Sequence, residues 1–550
     1  MRISLVNSNF TEQIIPNFMI NFEAGLLSIA SVLEKHGHDV KIVNLFQLIK
    51  KRRLAADSLF CAVAARRIAE QGSDIIGFNS RCDTYPIVLD IARHCKQINP
   101  KAVIVIGGPQ ATFSAMDTLK NFTFVDLIVK GEGELTMLEL MNCLKHGKSL
   151  NGVAGTMFRQ NGSIIENQPR KLIRDLDDLP LPAYHLIEDY FPSSKELRYG
   201  WAYISIGRGC PYNCTFCSTG EFWERCYRIR SPESILEEIE LLKKQYSISR
   251  FYLGHDNFLT RKKDIAKLCD VLSRRKAEIK WTCSSRIDSI DAKLLKKMSD
   301  SGCDRIFFGV ESGSPRIQRQ IRKNIDLSTV AGVIRECGKY DISAILSFII
   351  GFPQERQEDI DATLKLALQS RFFGNCHSYI RPLTPIVGTV LYSQNREKLR
   401  LSDTWSHLYL IGSLIKKCEW SKNLIKKYPA MFSNFYSLRL KYLPDDFPFM
   451  IVTLFSTLFG AYPVSFYFAT EQFKLHPVSL MNKFRRWAKQ RKVIFNGETR
   501  LLNRKMIIKY FPKFLRELCR TGNGDSLNNL QHILQCEIRN YRRVSSKLGG

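Results

Sequence analysis

Three cysteines within eight residues carry the strongest chemical signal in the chain. The run Gly207-Arg-Gly-Cys210-Pro-Tyr-Asn-Cys214-Thr-Phe-Cys217 spaces its thiols as Cys-x3-Cys-x2-Cys. That is one thiolate short of the four that an ordinary iron–sulfur centre uses. A 4Fe–4S cluster held by three cysteines keeps one iron open, and an open iron can bind a small molecule and act on it. Structural zinc closes its sites with four ligands, usually as two Cys-x2-Cys-like pairs. No second pair lies nearby, and Cys226 is nine residues on. A disulfide suits three such crowded thiols poorly.

Phe216, just before the last cysteine, and the apolar strand Ala202–Ile206 before the loop complete the pattern. With them the chain resembles the radical S-adenosylmethionine (radical SAM) enzymes. The resemblance implies a 4Fe–4S cluster on Cys210, Cys214 and Cys217, with the amino and carboxylate groups of SAM on the open iron. One electron then cleaves SAM to a 5′-deoxyadenosyl radical.

Such a loop needs strands to carry it. From Arg198 to Tyr392 the pattern predicts strands at Tyr203–Ile206, Arg250–Leu253, Lys280–Ser284, Arg305–Val310, Ala344–Ile350 and Ser378–Leu383, with helices between. Six such repeats match the partial barrel of radical SAM enzymes, whose sites lie at the carboxyl ends of strands. Polar residues fall there. His255-Asp256-Asn257 follows the second strand, and Asp256 suits an ammonium ion. Ser284 and Arg286 follow the third, where a cation could meet the SAM carboxylate. Glu311 and Ser312 follow the fourth, and Glu311 could accept ribose hydroxyls or the SAM ammonium group. The fifth, with Gly351, resembles the adenine-binding strand, although Ser347 stands where its first glycine is usual. The sixth ends at Pro385. Each alone could simply cap a helix; their order on successive strand ends favours a site.

Residues 1–150 also alternate strand and helix. Strands are predicted at Ile3–Asn7, Val40–Val43, Ile75–Phe78, Val103–Ile106 and Leu127–Val129, with helices over Glu23–His36 and Pro86–Gln97. Near-continuous apolar strands indicate a parallel sheet covered on both faces. The loops at their carboxyl ends form the ligand crevice. Candidate contacts are Asn79 and Ser80, then Gly107, Gly108 and Pro109, then Gly131, Glu132, Gly133 and Glu134. In this order, with Ala24–Ala30, Gly37–Val40 and the linker Asp177–Tyr184, they resemble the cobalamin-binding domain that precedes the barrel in one radical SAM subgroup. The Asp-x-His-x-x-Gly motif of cobalamin mutases is absent, so the resemblance implies a cofactor held without a protein histidine.

The fold expected is therefore α/β. A Rossmann-like, doubly wound cobalamin-binding domain (1–150) leads through a linker (151–197) to a central partial (β/α)6 radical SAM barrel (198–392). A mainly helical, basic region (393–550) follows. The resemblance covers residues 1–390 and implies three cofactors, a 4Fe–4S cluster, SAM and cobalamin. It implies methyl transfer to an unactivated carbon, with a second SAM remethylating the cobalamin. A substrate (peptide, lipid-like or small natural product) and an electron donor, protein or chemical, complete the partners.

Composition sets the remaining bounds. The chain has 550 residues, 45% hydrophobic and 24% charged, enough for several globular cores. Met1-Arg-Ile-Ser-Leu-Val leads straight into a strand without a signal-peptide layout. With sixteen irregularly spaced cysteines, the expected setting is cytoplasmic, with reduced thiols. The net charge is +28, and eighteen Lys/Arg face five Asp/Glu after Thr470. No RNA-binding signature accompanies them, so nucleic acid is not expected, and a solvated basic surface is an equal reading. Phe447–Thr470 carries no charge. Pro448 and Pro463 interrupt it, which favours a buried helix pair, with peripheral contact at the inner membrane surface as the alternative. Leu414–Lys427 and Met481–Lys492 read as helices, packed against the barrel or forming a substrate lid.

Three rivals stay open. One uses the same cofactors for oxidative ring formation or rearrangement. Another is a methylthiotransferase with a second cluster drawn from Cys61, Cys82, Cys95 and Cys143. The last is a non-catalytic cluster protein that binds a membrane or nucleic acid through its basic tail.

Overall fold

The computed structural model describes residues 1–10, 19–20, 23–190, 200–401, 409–443, 447–491, 504–520, 528–530 and 532–539. Two compact units result. The first comprises Met1–Ser284, Lys296–Asp304 and Thr384–Tyr436; the second comprises Ser285–Leu295, Arg305–Leu383 and Ser437–Gly550.

In the first unit, β1 (Arg2–Asn7), β2 (Asp39–Asn44), β3 (Ile75–Asn79), β4 (Val103–Gly107) and β5 (Leu127–Val129) form a parallel sheet in the order β2-β1-β3-β4-β5. The chain moves outward from β1 in both directions, so the switch point lies between β1 and β3. Ligands of such sheets bind at that point, beyond the carboxyl ends of the strands. Val6, Ile76, Phe78, Ile104, Ile106 and Ile128 are buried in one continuous core with α2 (Tyr85–Ile98). That explains why the strands read as apolar runs rather than alternating ones. Pro86, in the first turn of α2, lacks only an amide that would be orphaned there. The sheet continues beyond residue 150. A hairpin of β6 (Thr156–Gln160) and β7 (Ser163–Glu166) adds antiparallel to β5, so the first part of the expected linker is sheet.

The first unit also holds β8 (Trp201–Ser205), the short pair β9 (Gly207–Arg208) and β10 (Arg228–Ile229), β11 (Arg250–Gly254) and the start of β12 (Lys280–Arg286). β8 and β11 run parallel in register from Trp201 opposite Arg250 to Ser205 opposite Gly254, and β11 continues parallel to β12.

The helical pattern over Leu414–Lys427 resolves into two helices, α7 (Tyr409–Lys417) and α8 (Glu419–Lys427). They meet at Cys418, whose backbone is extended and whose sulfur lies 3.7 Å from that of Cys61. They pack on the N-terminal domain rather than on the barrel expected from the sequence pattern. Ser421 Oγ donates to Asp90 Oδ2 of α2 (3.1 Å), and Trp420 meets Phe122 and Phe124 under the Arg93 guanidinium.

The second unit contains β13 (Cys303–Glu311, from Arg305), β14 (Ser343–Ile350) and β15 (Cys376–Pro382), all parallel. It also contains α6 (Gln357–Ser370), α9 (Phe447–Ala461), α10 (Pro463–Gln472), α11 (Pro477–Gln490) and α12 (Arg504–Arg520). The uncharged stretch is a helix pair, α9 and α10, bent by 108° where Pro463 begins the second helix. Ile451, Phe455, Leu458 and Phe466 are buried, and Phe455 and Phe466 pack together and on to Phe511 of α12. No single described helix is long and apolar enough to cross a membrane. Among the described residues, no cysteine forms a disulfide.

Candidate active site

Residues around the switch point line a cavity of about 530 Å³ within the first unit. Asn79, Gly107 to Pro109 and Gly131 to Glu134 contribute one side. Tyr203 and Ser205 of β8, Arg208 of β9, and His255 and Asp256 after β11 contribute the other. The structure thus brings together the loop after β3, the two glycine-bearing loops after β4 and β5, and the strand that leads directly into the cysteine loop.

Two glycines in these loops bring backbone close to the cavity. Gly108 and Gly131 both have left-handed backbone, φ +94° and +72°. A Cβ on Gly108 would lie 2.7 Å from the Ser80 carbonyl oxygen, whereas one on Gly131 would meet nothing within 4 Å. The first glycine lets the loops touch, and the second leaves backbone open to the cavity. That cradle fits a corrin.

Ser80 does not face the cavity. It is fully buried, donates to the Gly107 carbonyl (2.7 Å) and accepts from the Ala111 amide (2.9 Å). Its role is to tie the β3 loop to the β4 loop. Glu132 and Glu134 line the cavity, and arginines engage their carboxylates. Arg208 donates from Nη1 to Glu132 Oε1 (2.7 Å) and from Nη2 to Glu134 Oε1 (2.5 Å). Arg228 donates from Nη1 to both oxygens of Glu132 (2.9 and 3.1 Å).

The cysteine loop follows. Gly209 has φ +92°, and a Cβ there would overlap the Cys226 carbonyl oxygen. Its amide donates to Asp256 Oδ2 (2.7 Å). Cys210 and Cys214 are half-buried, Cys217 is exposed, and Phe216 is half-buried. Burial pushes the Cys210 thiol up to about 11, with Cys217 and Cys214 adding to the shift and the Tyr212 amide opposing it. A metal that coordinates the thiolate supplies the missing stabilisation. Among the described residues, no three Cys, His, Asp or Glu side chains gather where one metal ion would fit.

Asp256 opens onto the cavity yet is surrounded by protein. That environment raises its pKa, against the Gly209 amide, Arg208 and the Trp223 indole. His255 is held neutral. Nδ1 accepts from the Asn257 amide (3.1 Å), so the proton is assigned to Nε2, facing the Arg228 carbonyl (3.1 Å). Burial lowers its pKa to about 4. Asn257 is buried behind it. Ser284 Oγ pairs with the Tyr252 hydroxyl, whose ring stacks on Tyr203 at 5.6 Å.

Arg286, Glu311, Ser312 and Gly351 lie in the second unit. Arg286 grips Asp288 through Nε (3.0 Å) and Nη2 (2.7 Å), and Nη2 also reaches the Lys323 carbonyl (2.7 Å). Lys323 Nζ donates to Glu311 Oε1 (2.6 Å). Glu311 sits at a break in the β13 register with φ +70°, a strained conformation that its surroundings must hold in place. Ser312 Oγ is engaged with Thr363 and the Ser314 amide, which places it in the turn. The Gly351 and Phe352 amides both donate to Glu355 Oε2 (2.6 and 3.1 Å). The Pro385 carbonyl, in the first unit, accepts from Ser433 (2.7 Å). Sequence reasoning missed the parts played by Arg208, Arg228, Tyr203, Lys323 and Glu355. Only Arg208, inside the Gly-Arg-Gly run, had a local signal.

A parallel sheet with a cofactor crevice, and a cavity shared with the strand and the Gly207-Arg208 pair that precede a three-cysteine loop, define a class of cluster enzyme with an attached Rossmann-type cofactor domain. The Radical SAM superfamily model matches residues 204–367, and the B12 binding domain model matches residues 20–141. An uncharacterized methyltransferase of Pyrococcus horikoshii is 32% identical over 426 residues, covering 77% of this chain and 89% of that protein. An anaerobic magnesium-protoporphyrin IX monomethyl ester cyclase of Synechocystis is 29% identical over 350 residues, 62% of this chain and 67% of that protein. In fold, the chain is similar to the cobalamin-dependent S-adenosylmethionine radical enzyme OxsB, solved with aqua-cobalamin and S-adenosylmethionine bound. The TM-score is 0.61 at 17% identity, over 99% of this chain and 81% of that one.

The chain belongs to the cobalamin-dependent radical SAM methyltransferase family. Membership carries the family's cofactors: a 4Fe–4S cluster, SAM and cobalamin.

Proposed function

We propose that the protein transfers a methyl group to an unactivated carbon of a substrate, using all three cofactors. The observation that carries this reading is the shared cavity, lined by the cobalamin-type loops after β3, β4 and β5 and by Arg208, two residues before Cys210. Bound there, the cofactors supply a carbon-centred radical and a methyl group, chemistry that side chains cannot perform alone. The chain's own work is to hold and enclose. Cys210, Cys214 and Cys217 would hold the cluster through three thiolates. Asp256 shapes the loop through the Gly209 amide and, opening onto the cavity, would offer its carboxylate to the SAM ammonium group. Gly107 and Gly131 would let backbone meet the corrin, and Gly108 lets the loop close on Ser80. Tyr203, Leu179 and Pro182 exclude water from the cavity wall.

The substrate class stays open between peptide, lipid-like molecule and small natural product. The reductant is a protein or chemical one-electron donor, and the setting proposed is the cytoplasm. The basic C-terminal region is read as a solvated surface. The likeness to a cyclase favours a second reading, oxidative ring formation with the same cofactors.

Anaerobic reconstitution with iron, sulfide and hydroxocobalamin, followed by metal analysis, tests the proposal. About four irons and one cobalt per chain are expected. Iron without cobalt would refute cobalamin dependence, and about eight irons without cobalt would revive the methylthiotransferase. Cys214→Ala should abolish cluster loading and activity together; surviving activity would leave a non-radical function.

A further inference from the structure

The Glu132–Arg208–Glu134 bridge is an unusual use of buried charge. Arg208 is one residue from the left-handed turn that begins the cysteine loop. It reaches two separate carboxylates on the loop after β5, at 2.7 and 2.5 Å. Arg208 is 14% exposed, and the two carboxylates 3% and 4%. Both carboxylates are braced elsewhere as well. Glu132 Oε2 accepts from the Ile173 amide (2.7 Å) and from Arg228, and Glu134 Oε1 accepts from Ser28 (2.8 Å). Arg228 in turn donates to the Ile173 carbonyl (2.7 Å). The Trp223 ring covers both guanidinium groups, at 5.7 and 5.5 Å.

Two glutamates and two arginines make a neutral set, but neutrality alone does not explain it. Apolar side chains of similar volume often serve stability as well as a buried ion pair does. What a fork-shaped guanidinium adds is geometry, because its donors match two acceptors in one placement only. Sliding one loop past the other by a single residue would leave a buried charge unpaired.

We propose that Arg208 is a positioning residue whose bridge to Glu132 and Glu134 sets the spacing between the cluster loop and the cobalamin loop. The inference rests on the functional reading above and assigns these residues a role in spacing two cofactors rather than in touching either. The glutamates of the Gly131–Glu134 loop, expected from sequence to contact cobalamin, act through Arg208 instead.

Arg208→Lys keeps the charge but offers one point donor where the site needs a fork. The full chain, wild type and variant, is reconstituted with iron, sulfide and hydroxocobalamin. The cobalamin is reduced to its paramagnetic cobalt(II) form, and its EPR saturation is compared with the cluster oxidised and reduced. Two nearby paramagnets speed each other's relaxation with steep distance dependence, so this signature reports spacing without turnover. Wild type should show relaxation enhanced by the reduced cluster. Arg208→Lys should hold the same iron and cobalt and lose that enhancement.

Unchanged enhancement in a fully loaded variant overturns the proposal. If Arg208→Lys does not load, Glu134→Gln, which keeps shape and removes one charge, is read in the same way. Failure of both variants to load iron would make the bridge a folding element and also overturn the proposal. Wild-type protein that loads iron but no cobalt overturns the functional reading itself, and the spacing role with it.

Discussion

At Gly209 the chain makes its tightest demand on residue type. The backbone is left-handed, and the Cys226 carbonyl occupies the place of a side chain. Gly209→Ala therefore combines a backbone penalty of about 1–2 kcal/mol with a direct clash. The loop that presents Cys210 should move, and iron retained after reconstitution should drop to a small fraction of the wild-type value, as read by metal analysis. Normal iron loading would show that the turn can relax. Gly332 offers a contrast: it lies inside a helix, and a methyl group added there would meet nothing within 4 Å. Gly332→Ala should leave iron unchanged and raise stability by about 0.5–1 kcal/mol. Local space and φ, rather than the presence of glycine, decide the outcome at each position.

At the scale of elements, the end of β14 depends on one buried acid. Glu355 is fully buried and accepts the Gly351 and Phe352 amides on Oε2, while Oε1 has no hydrogen-bond partner among the described residues. Burial raises its pKa to about 8 from an ordinary 4.5. Between those values the folded protein holds a proton that the unfolded chain has released. Stability therefore falls as pH rises from 4.5 through 8 and is level above that. Glu355→Gln keeps an acceptor for the two amides and cannot ionise. Denaturant midpoints at about pH 5, 7 and 9 should decline in the wild type and be flatter in the variant; equal slopes would place the titration elsewhere. The same economy of contact appears at Cys418, where one extended residue ends α7 and begins α8.

At the scale of the whole molecule, the region after residue 393 serves both units. Residues up to Tyr436 belong to the first, and those from Ser437 to the second. Trp420, half-buried against Phe122, Phe124 and Arg93, anchors α8 on the N-terminal domain. Trp420→Ala should cost about 2 kcal/mol. Hydrogen exchange should speed up across residues 409–436 and not across β13 to β15, because the lost contacts are confined to the first unit. Uniform acceleration in both units would mean that the packing is not local. The uncharged stretch follows the same logic: α9 and α10 bury their apolar faces on α12 through Phe455, Phe466 and Phe511.

Much of the fold and part of the site are local properties, legible in the sequence. Apolar runs such as Val103–Ile106 and Leu127–Val129 are strands because a covered parallel sheet needs them so. The Cys-x3-Cys-x2-Cys spacing and the glycines around it describe one loop, and the structure places its leading strand beside the cobalamin-type loops. Ser80, Glu132 and Glu134 were legible as loop residues, but their partners were not. Arg208 lies 76 residues beyond Glu132 and Lys323 lies 12 beyond Glu311, and no periodicity links such pairs. Whether a carboxylate faces a ligand or an arginine is decided by which chain segments meet in space. The sequence determined the strands, the cysteine loop and the cofactor class, since these depend on residue type and short spacing. Only the tertiary structure decided that the acidic loop binds Arg208, that α8 packs on α2, and that the apolar stretch is core, since burial and pairing arise from contacts between distant segments.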